Sequence, residues 1–264
     1  MARVYRWRMR QLTFEHTRRP SGRGGWRPNA GRPKTSPAVS HSPRAELPHR
    51  HPAQVTWRLL DGLPSLRRDY LAIIVRQAIQ SSHKPTFGIV EFSIQTNHLH
   101  MLVEASSSVT LARGLQGLAK RLVLRLNTKL RRKGRIFASR YHVRTLATPR
   151  EVKHALRYVL LNARHHLDPS TPIDRYWVDP YSSGPWFDGW SSPLHPFTRA
   201  GALSREPSPT VRAQTWLLRT GWRHWGLLAF DERPGASPAP PRIRKGSPSA
   251  ATPTTTSRRR RRAP

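Results

Sequence analysis

The chain has 264 residues, no cysteine, and 47 Lys and Arg against 14 Asp and Glu, a formal charge of +33. Without cysteine there are no disulfide frameworks, thiolate metal sites or cysteine nucleophiles, so any metal must sit on His, carboxylate or amide oxygen. The charge favours a polyanionic partner, nucleic acid first. No apolar run approaches the roughly 18 residues of a membrane span, and the opening "MARVYRWRMR" lacks the apolar middle of a secretory signal, so a soluble, cytoplasmic protein without membrane contact is expected.

The 25 prolines and 16 glycines are unevenly spread and divide the chain. Residues 1–50 mix Arg, Pro, Gly and Ser without period and read as a basic, disordered arm. Within it Gly31-Arg32-Pro33 has the form of a minor-groove hook, with Arg32 as a DNA-binding candidate; a solvated linker is the plainer reading. Regular structure is expected over 51–168. "AQVTWRLL" (53–60) reads as a strand that stops at the turn signal Asp61-Gly62, and "PSLRRDYLAIIVRQAIQ" as a helix opened by Pro64 and Ser65. "FGIVEFSI" (87–94) and "HLHMLVEA" (98–105) form a hairpin across Gln95-Thr96-Asn97. Residues 109–132 make a second helix whose outer side carries Lys120, Arg121 and Arg125, candidates for phosphate contact. After the turn "RRKG" come the strand "YHVRTLA", with Arg140 and Arg144 as further basic candidates, and a third helix. That helix has a marked start: Thr148 caps, Pro149 takes the first helical position, and Glu151 completes a capping box.

The order β-α-β-β-α-β-α defines an α+β fold of ferredoxin-like type, an antiparallel sheet with helices on one face and the other face available for a ligand. Residues 169–231 form a Trp-rich extension expected to dock on the domain, with most of its tryptophans packing rather than stacking on bases. Residues 232–264 are a second low-complexity stretch ending in the run Arg258 to Arg262, a disordered basic tail.

Chemistry concentrates at "NHLHML". Side chains two apart on a strand share a face, so His98 and His100 present two imidazoles to one side, two metal ligands awaiting a third. On the third helix Tyr158 and Asn162 stand one turn apart, at the border of the apolar stripe Val152, Leu156, Val159 and Ala163. A tyrosine facing a histidine pair, with an amide oxygen beside it, makes a nucleophile and third ligand for one divalent ion. Other assignments stay open. His154 or His166 can replace Asn162 as ligand and Tyr141 is a second candidate nucleophile, but Tyr158 and Asn162 are preferred, since Tyr141 is expected to pack on its strand and His166 falls near the helix end; Glu104 shares the parity of the histidines and can assist the metal, with strand-end solvation the simpler account. Tyr158 can also simply fill a core position.

At these residues the chain resembles single-tyrosine transposases of the histidine-hydrophobic-histidine (HUH) class. "NHLHML" looks like their metal motif, and "RIFASRYHVRTLATPREVKHALRYVLLNARHH" and "QVTWRLLDGLPSLR" are similar to the REP-associated tyrosine transposase branch. The resemblance spans about 50–168, with a weaker likeness around "TWLLRTGWRHWGLLAFDE". It implies a DNA strand transferase in which Tyr158 attacks single-stranded or hairpin DNA to leave a 5′-phosphotyrosine, His98, His100 and Asn162 hold Mg²⁺ or Mn²⁺, and the protein acts as a monomer or homodimer. The helix runs Asn162-Ala163-Arg164 where the branch often has Asn-Pro-Val-Arg, and Ser139 stands where relatives often place an acid. A non-catalytic binder of hairpin DNA or RNA on the same fold is the alternative. A histidine-triad phosphoryl transferase is disfavoured, since "HLHMLV" lacks the further histidine it needs.

Overall fold

The computed structural model describes residues 46–165, 174 and 176–232; Arg32, His166 and nearly all of the expected basic arm and tail lie outside the described residues. Strands β1 (Ala53–Arg58), β2 (Phe87–Ile94), β3 (His98–Ala105) and β4 (His142–Thr145) form one antiparallel sheet in the order β2-β3-β1-β4. Helices α1 (Asp69–Gln80) and α2 (Ser108–Lys129) precede β2 and β4, and α3 (Pro149–His165) follows β4. The element order is the one read from the sequence, and the fold is α+β.

Alternation along each strand divides the core in two. Val55, Trp57, Phe92, Leu99, Met101 and Val103 point to one face and meet the apolar stripes of α1 and α2. There α2 approaches β2 so closely that a Cβ on Gly114 would lie 2.2 Å from the Phe87 ring. Val90 and Leu102 point to the other face, where Val152, Leu156, Val159 and Leu160 of α3 cover them. Helices α1 and α2 share one face as expected, but the second face, expected to be open to a ligand, is covered over β2 and β3 by α3. Both faces of those strands are apolar, and the stripe on α3 has to be buried somewhere; each buried Val or Leu is worth about 1.5–3 kcal/mol.

Local chemistry sets the element ends. The capping box at α3 is formed, with Glu151 N–H donating to Thr148 Oγ1 at 3.2 Å and Thr148 N–H to Glu151 Oε2 at 3.1 Å. The first helix starts at Asp69, not at Pro64-Ser65. The Arg67 side chain instead reaches Asp179 through two 2.9 Å bonds, and Leu66 N–H donates to Thr96 O, so 65–68 form a turn tied to the extension and the hairpin.

The extension closes the edge that β2 would expose. Ile94 N–H donates to Tyr181 O at 2.8 Å, Ser183 N–H to Phe92 O at 2.9 Å, and Val211 N–H to Ile89 O at 3.1 Å. Short helices α4 (Arg199–Leu203) and α5 (Trp216–Arg219) follow. Leu217, Leu218 and Trp222 join the core beneath α3, whereas Trp216 and Trp225 stay about half exposed, at 53% and 56%. Two buried carboxyls anchor this segment to the sheet. Glu104 accepts from Gln214 N–H, Thr215 N–H and Thr215 Oγ1, at 2.7, 2.9 and 2.6 Å, which removes it from any metal site and replaces the expected strand-end solvation. Glu91 accepts from Ser183 Oγ, and burial pushes its carboxyl up to about 8.

The Glu91 shift has a defined sign. The folded carboxyl keeps its proton between about pH 5 and 8, where an unfolded-chain carboxyl has lost it, so folding becomes less favourable as pH rises, by up to about 1.4 kcal/mol per unit. Glu91→Gln removes this dependence. Denaturant unfolding of the two proteins at pH 5 and pH 8 checks it: the Gln variant gains on the native protein as pH rises, and a gap that stays constant contradicts the assignment.

Candidate functional site

The site is built from the face of β3 opposite α1 and α2. His98 and His100 emerge together there, as the parity of the strand requires, with rings parallel to within 2° and centroids 6.1 Å apart. His100 is 6% exposed, on the floor, while His98 is partly exposed at the strand end. From above, α3 brings Tyr158 edge-on to His100, with ring centroids 5.1 Å apart. Tyr158 is half-buried, and burial alone pushes its phenol above the usual range, so it is protonated at neutral pH.

Asn162 follows one turn along α3 and is 1% exposed, with Nδ2 buried and without a hydrogen-bond partner. An unsatisfied buried amide costs roughly 1–3 kcal/mol, so it calls for an explanation. The amide oxygen and nitrogen can exchange places by a flip, which makes this buried end equally a position for a carbonyl oxygen. Among the described residues, no three His, Cys, Asp or Glu side chains gather in a way that could hold a metal ion. A third protein ligand beside the His pair therefore needs another residue type, and an amide oxygen suits Mg²⁺ or Mn²⁺. The donor set fits such an ion: two imidazoles on one strand face and a buried amide on the facing helix.

The rival assignments separate by position. Tyr141 packs edge-on to Trp57, centroids 5.5 Å apart, in the core beneath α1 and α2; it lies on the opposite sheet face from the histidines. His154, one turn before Tyr158, is engaged through Nδ1 by Arg157 Nη2 at 2.8 Å. Burial and the surrounding Arg157, Arg150, Lys153 and Arg144 hold its pKa below the ordinary value.

The basic candidates divide between the two faces. Arg144 pairs across the sheet with Gln54 on the site's face and bridges to Glu151 at 3.1 Å, tying β4 to the start of α3. Lys120, Arg121 and Arg125 belong to α2, which packs on the opposite face. Arg140 borders a groove of about 700 Å³ on that opposite face, between α2 and the residues Trp57, Tyr141 and Val143.

Two neighbours of the site were not singled out from the sequence. Thr56 lies directly across from His100 on β1, and His142 lies across from Thr56 on β4, so the three share one row. Thr56 Oγ1 sits 3.0 Å from His100 Nδ1. The polar alternation Gln54, Thr56, Arg58 was the available signal, but only the strand register shows which residue meets the histidine.

The orphaned amide of Asn162 generates a stability prediction. Asn162→Leu, which keeps the branched four-atom side chain but is free of polar atoms, raises unfolding free energy by about 1 kcal/mol. Thermal or denaturant melts of the metal-free protein measure it, and a destabilised variant contradicts the view that this amide is kept at a cost.

No protein-family profile matches the chain, and no curated protein matches it. A solved structure described as that of a REP-associated tyrosine transposase bound to a REP hairpin is similar to it, with TM-score 0.41, 16% sequence identity, and coverage of 48% of this chain and 74% of that one. Among the described residues, no helix is long and apolar enough to cross a membrane.

Proposed function

We propose that this chain is a metal-dependent enzyme that cleaves single-stranded or hairpin DNA and transfers the cut strand, with Tyr158 as nucleophile and His98, His100 and Asn162 as ligands of Mg²⁺ or Mn²⁺. The observation that carries the reading is the meeting of the parallel His98 and His100 rings with the Tyr158 ring, 5.1 Å from His100, on one sheet face. The unpartnered amide end of Asn162 and the charge of +33 support it from independent directions.

In the proposed reaction the Tyr158 oxygen forms a bond to the scissile phosphorus and the P–O3′ bond breaks. The phenol gives up its proton to solvent and the departing O3′ takes one up, so the upstream strand leaves with a 3′-OH and the downstream strand stays attached as a 5′-phosphotyrosine. Attack by the 3′-OH of another strand reverses the step and restores the tyrosine, so one phosphodiester replaces another without an outside energy source. A bound divalent ion supplies Lewis-acid polarisation of the phosphate oxygen. His98 and His100 would hold it from the strand and Asn162 from the helix, while α3 keeps Tyr158 edge-on to His100.

The test is to incubate the full chain with end-labelled hairpin DNA carrying single-stranded flanks, with Mn²⁺ or with a chelator, and to resolve covalent adducts on denaturing gels. The expected result is a Mn²⁺-dependent adduct that disappears in Tyr158→Phe and falls at least ~100-fold in His100→Ala. Hairpin binding without any adduct would favour a non-catalytic nucleic-acid binder on this fold, and an undiminished adduct from Tyr158→Phe would rule out this nucleophile.

A further inference from the structure

Beyond the ligands themselves, the geometry points to Thr56 as the positioning residue of His100: we infer that Thr56 Oγ1 accepts a hydrogen bond from His100 Nδ1–H and so fixes the ring with its Nε2 lone pair turned to the ion. This rests on the metal reading above for its purpose, and on the pairing of β1 with β3 for its geometry.

An imidazole binds a metal through one nitrogen, and the hydrogen bond made by the other decides which nitrogen that is. In this site the other nitrogen is accounted for. Thr56 and His100 are directly opposed in the β1–β3 register, so both side chains rise on the same face, and Oγ1 lies 3.0 Å from Nδ1. A hydroxyl can accept or donate. The accepting arrangement is the one in which His100 is neutral, carries its proton on Nδ1 and offers Nε2. With Thr56 donating instead, the proton sits on Nε2 and the ring cannot serve as a ligand through that atom.

The surroundings make the bond consequential. His100 is 6% exposed, so water has little access to Nδ1. Its other strand neighbour in the register is Ser93, 0% exposed, whose Oγ accepts from Gln95 Nε2 at 2.7 Å. Thr56 is β-branched in a strand, where its χ1 freedom is small, so its hydroxyl is held in place before any ligand arrives. His98 stands opposite Arg58 in the same register, at the end of the strand.

The test separates this inference from the metal reading by using two readouts. Nitrogen chemical shifts of ¹⁵N-histidine-labelled, metal-free protein report the tautomer of His100 directly. The expected result is the Nδ1–H form in the native protein and in Thr56→Ser, and its loss in the near-isosteric Thr56→Val. Mn²⁺ binding followed by electron paramagnetic resonance is expected to weaken ~10–100-fold in Thr56→Val and to recover in Thr56→Ser. A native protein with His100 in the Nε2–H form overturns the inference, as does a folded Thr56→Val variant with native tautomer and native Mn²⁺ affinity. A native protein that shows the Nδ1–H form but binds no Mn²⁺ overturns the ligand role and the metal reading together, while leaving the Thr56 bond itself in place.

Discussion

The structure turns on the two-residue alternation of β3, a central strand that buries both of its faces. Leu99, Met101 and Val103 complete the core beneath α1 and α2, and this forces His98, His100, Leu102 and Glu104 onto the opposite side. That second side cannot be left to solvent, because Leu102 and Val90 share it with the polar groups. Covering it is the work of α3 and the extension. Three polar groups there have defined partners: Glu104 caps the start of α5, Glu91 takes the Ser183 hydroxyl, and His100 takes Thr56. A one-residue slip of β3 would send the two imidazoles into the hydrocarbon core and turn Leu99 and Met101 toward the site beneath α3.

The same constraint explains why the candidate site is stiff. Its groups stand on a central strand and on a helix secured at its start by the Thr148–Glu151 box and by the Arg144–Glu151 bridge. Further along, Arg164 Nη2 donates to Asp174 O and Trp177 O, at 2.9 and 2.7 Å, and joins α3 to the extension. Groups that must converge on one atom to within about half an ångström are better placed on such elements than on loops. The cost is visible in Asn162, whose buried amide end has no partner, and in Glu91, whose carboxyl is buried and protonated at neutral pH. The Asn162 cost is understandable if the amide awaits a ligand, and the Glu91 cost buries the edge of β2.

Much of this was legible in the chain because it is local. The four strands, the short hairpin connection, the capping box and the parity of His98 and His100 all depend on neighbours within a few residues. Tyr158 and Asn162 followed from helical spacing once the start of α3 was known. What was not legible depends on partners far away in sequence. The first helix begins at Asp69 because Arg67 is committed to Asp179, more than a hundred residues on. Glu104 had the parity of a ligand, yet it serves Thr215, and no pattern around it announces that. Tyr141 was expected to pack, but only the sheet shows that it does so on the far face, against Trp57. Thr56 belongs to the same class: its alternation marks a polar face, but the β1–β3 register alone makes it the neighbour of His100.

The central claim is convergence of the strand pair and the helix amide on one cation, and anomalous scattering from crystals of the full chain grown with Mn²⁺ tests it most directly. The account predicts a single manganese peak within bonding distance of one nitrogen each of His98 and His100 and of the Asn162 amide oxygen, with the Tyr158 hydroxyl facing it. A manganese peak on other residues, or rings of His98 and His100 that stay unliganded at saturating Mn²⁺, would contradict it.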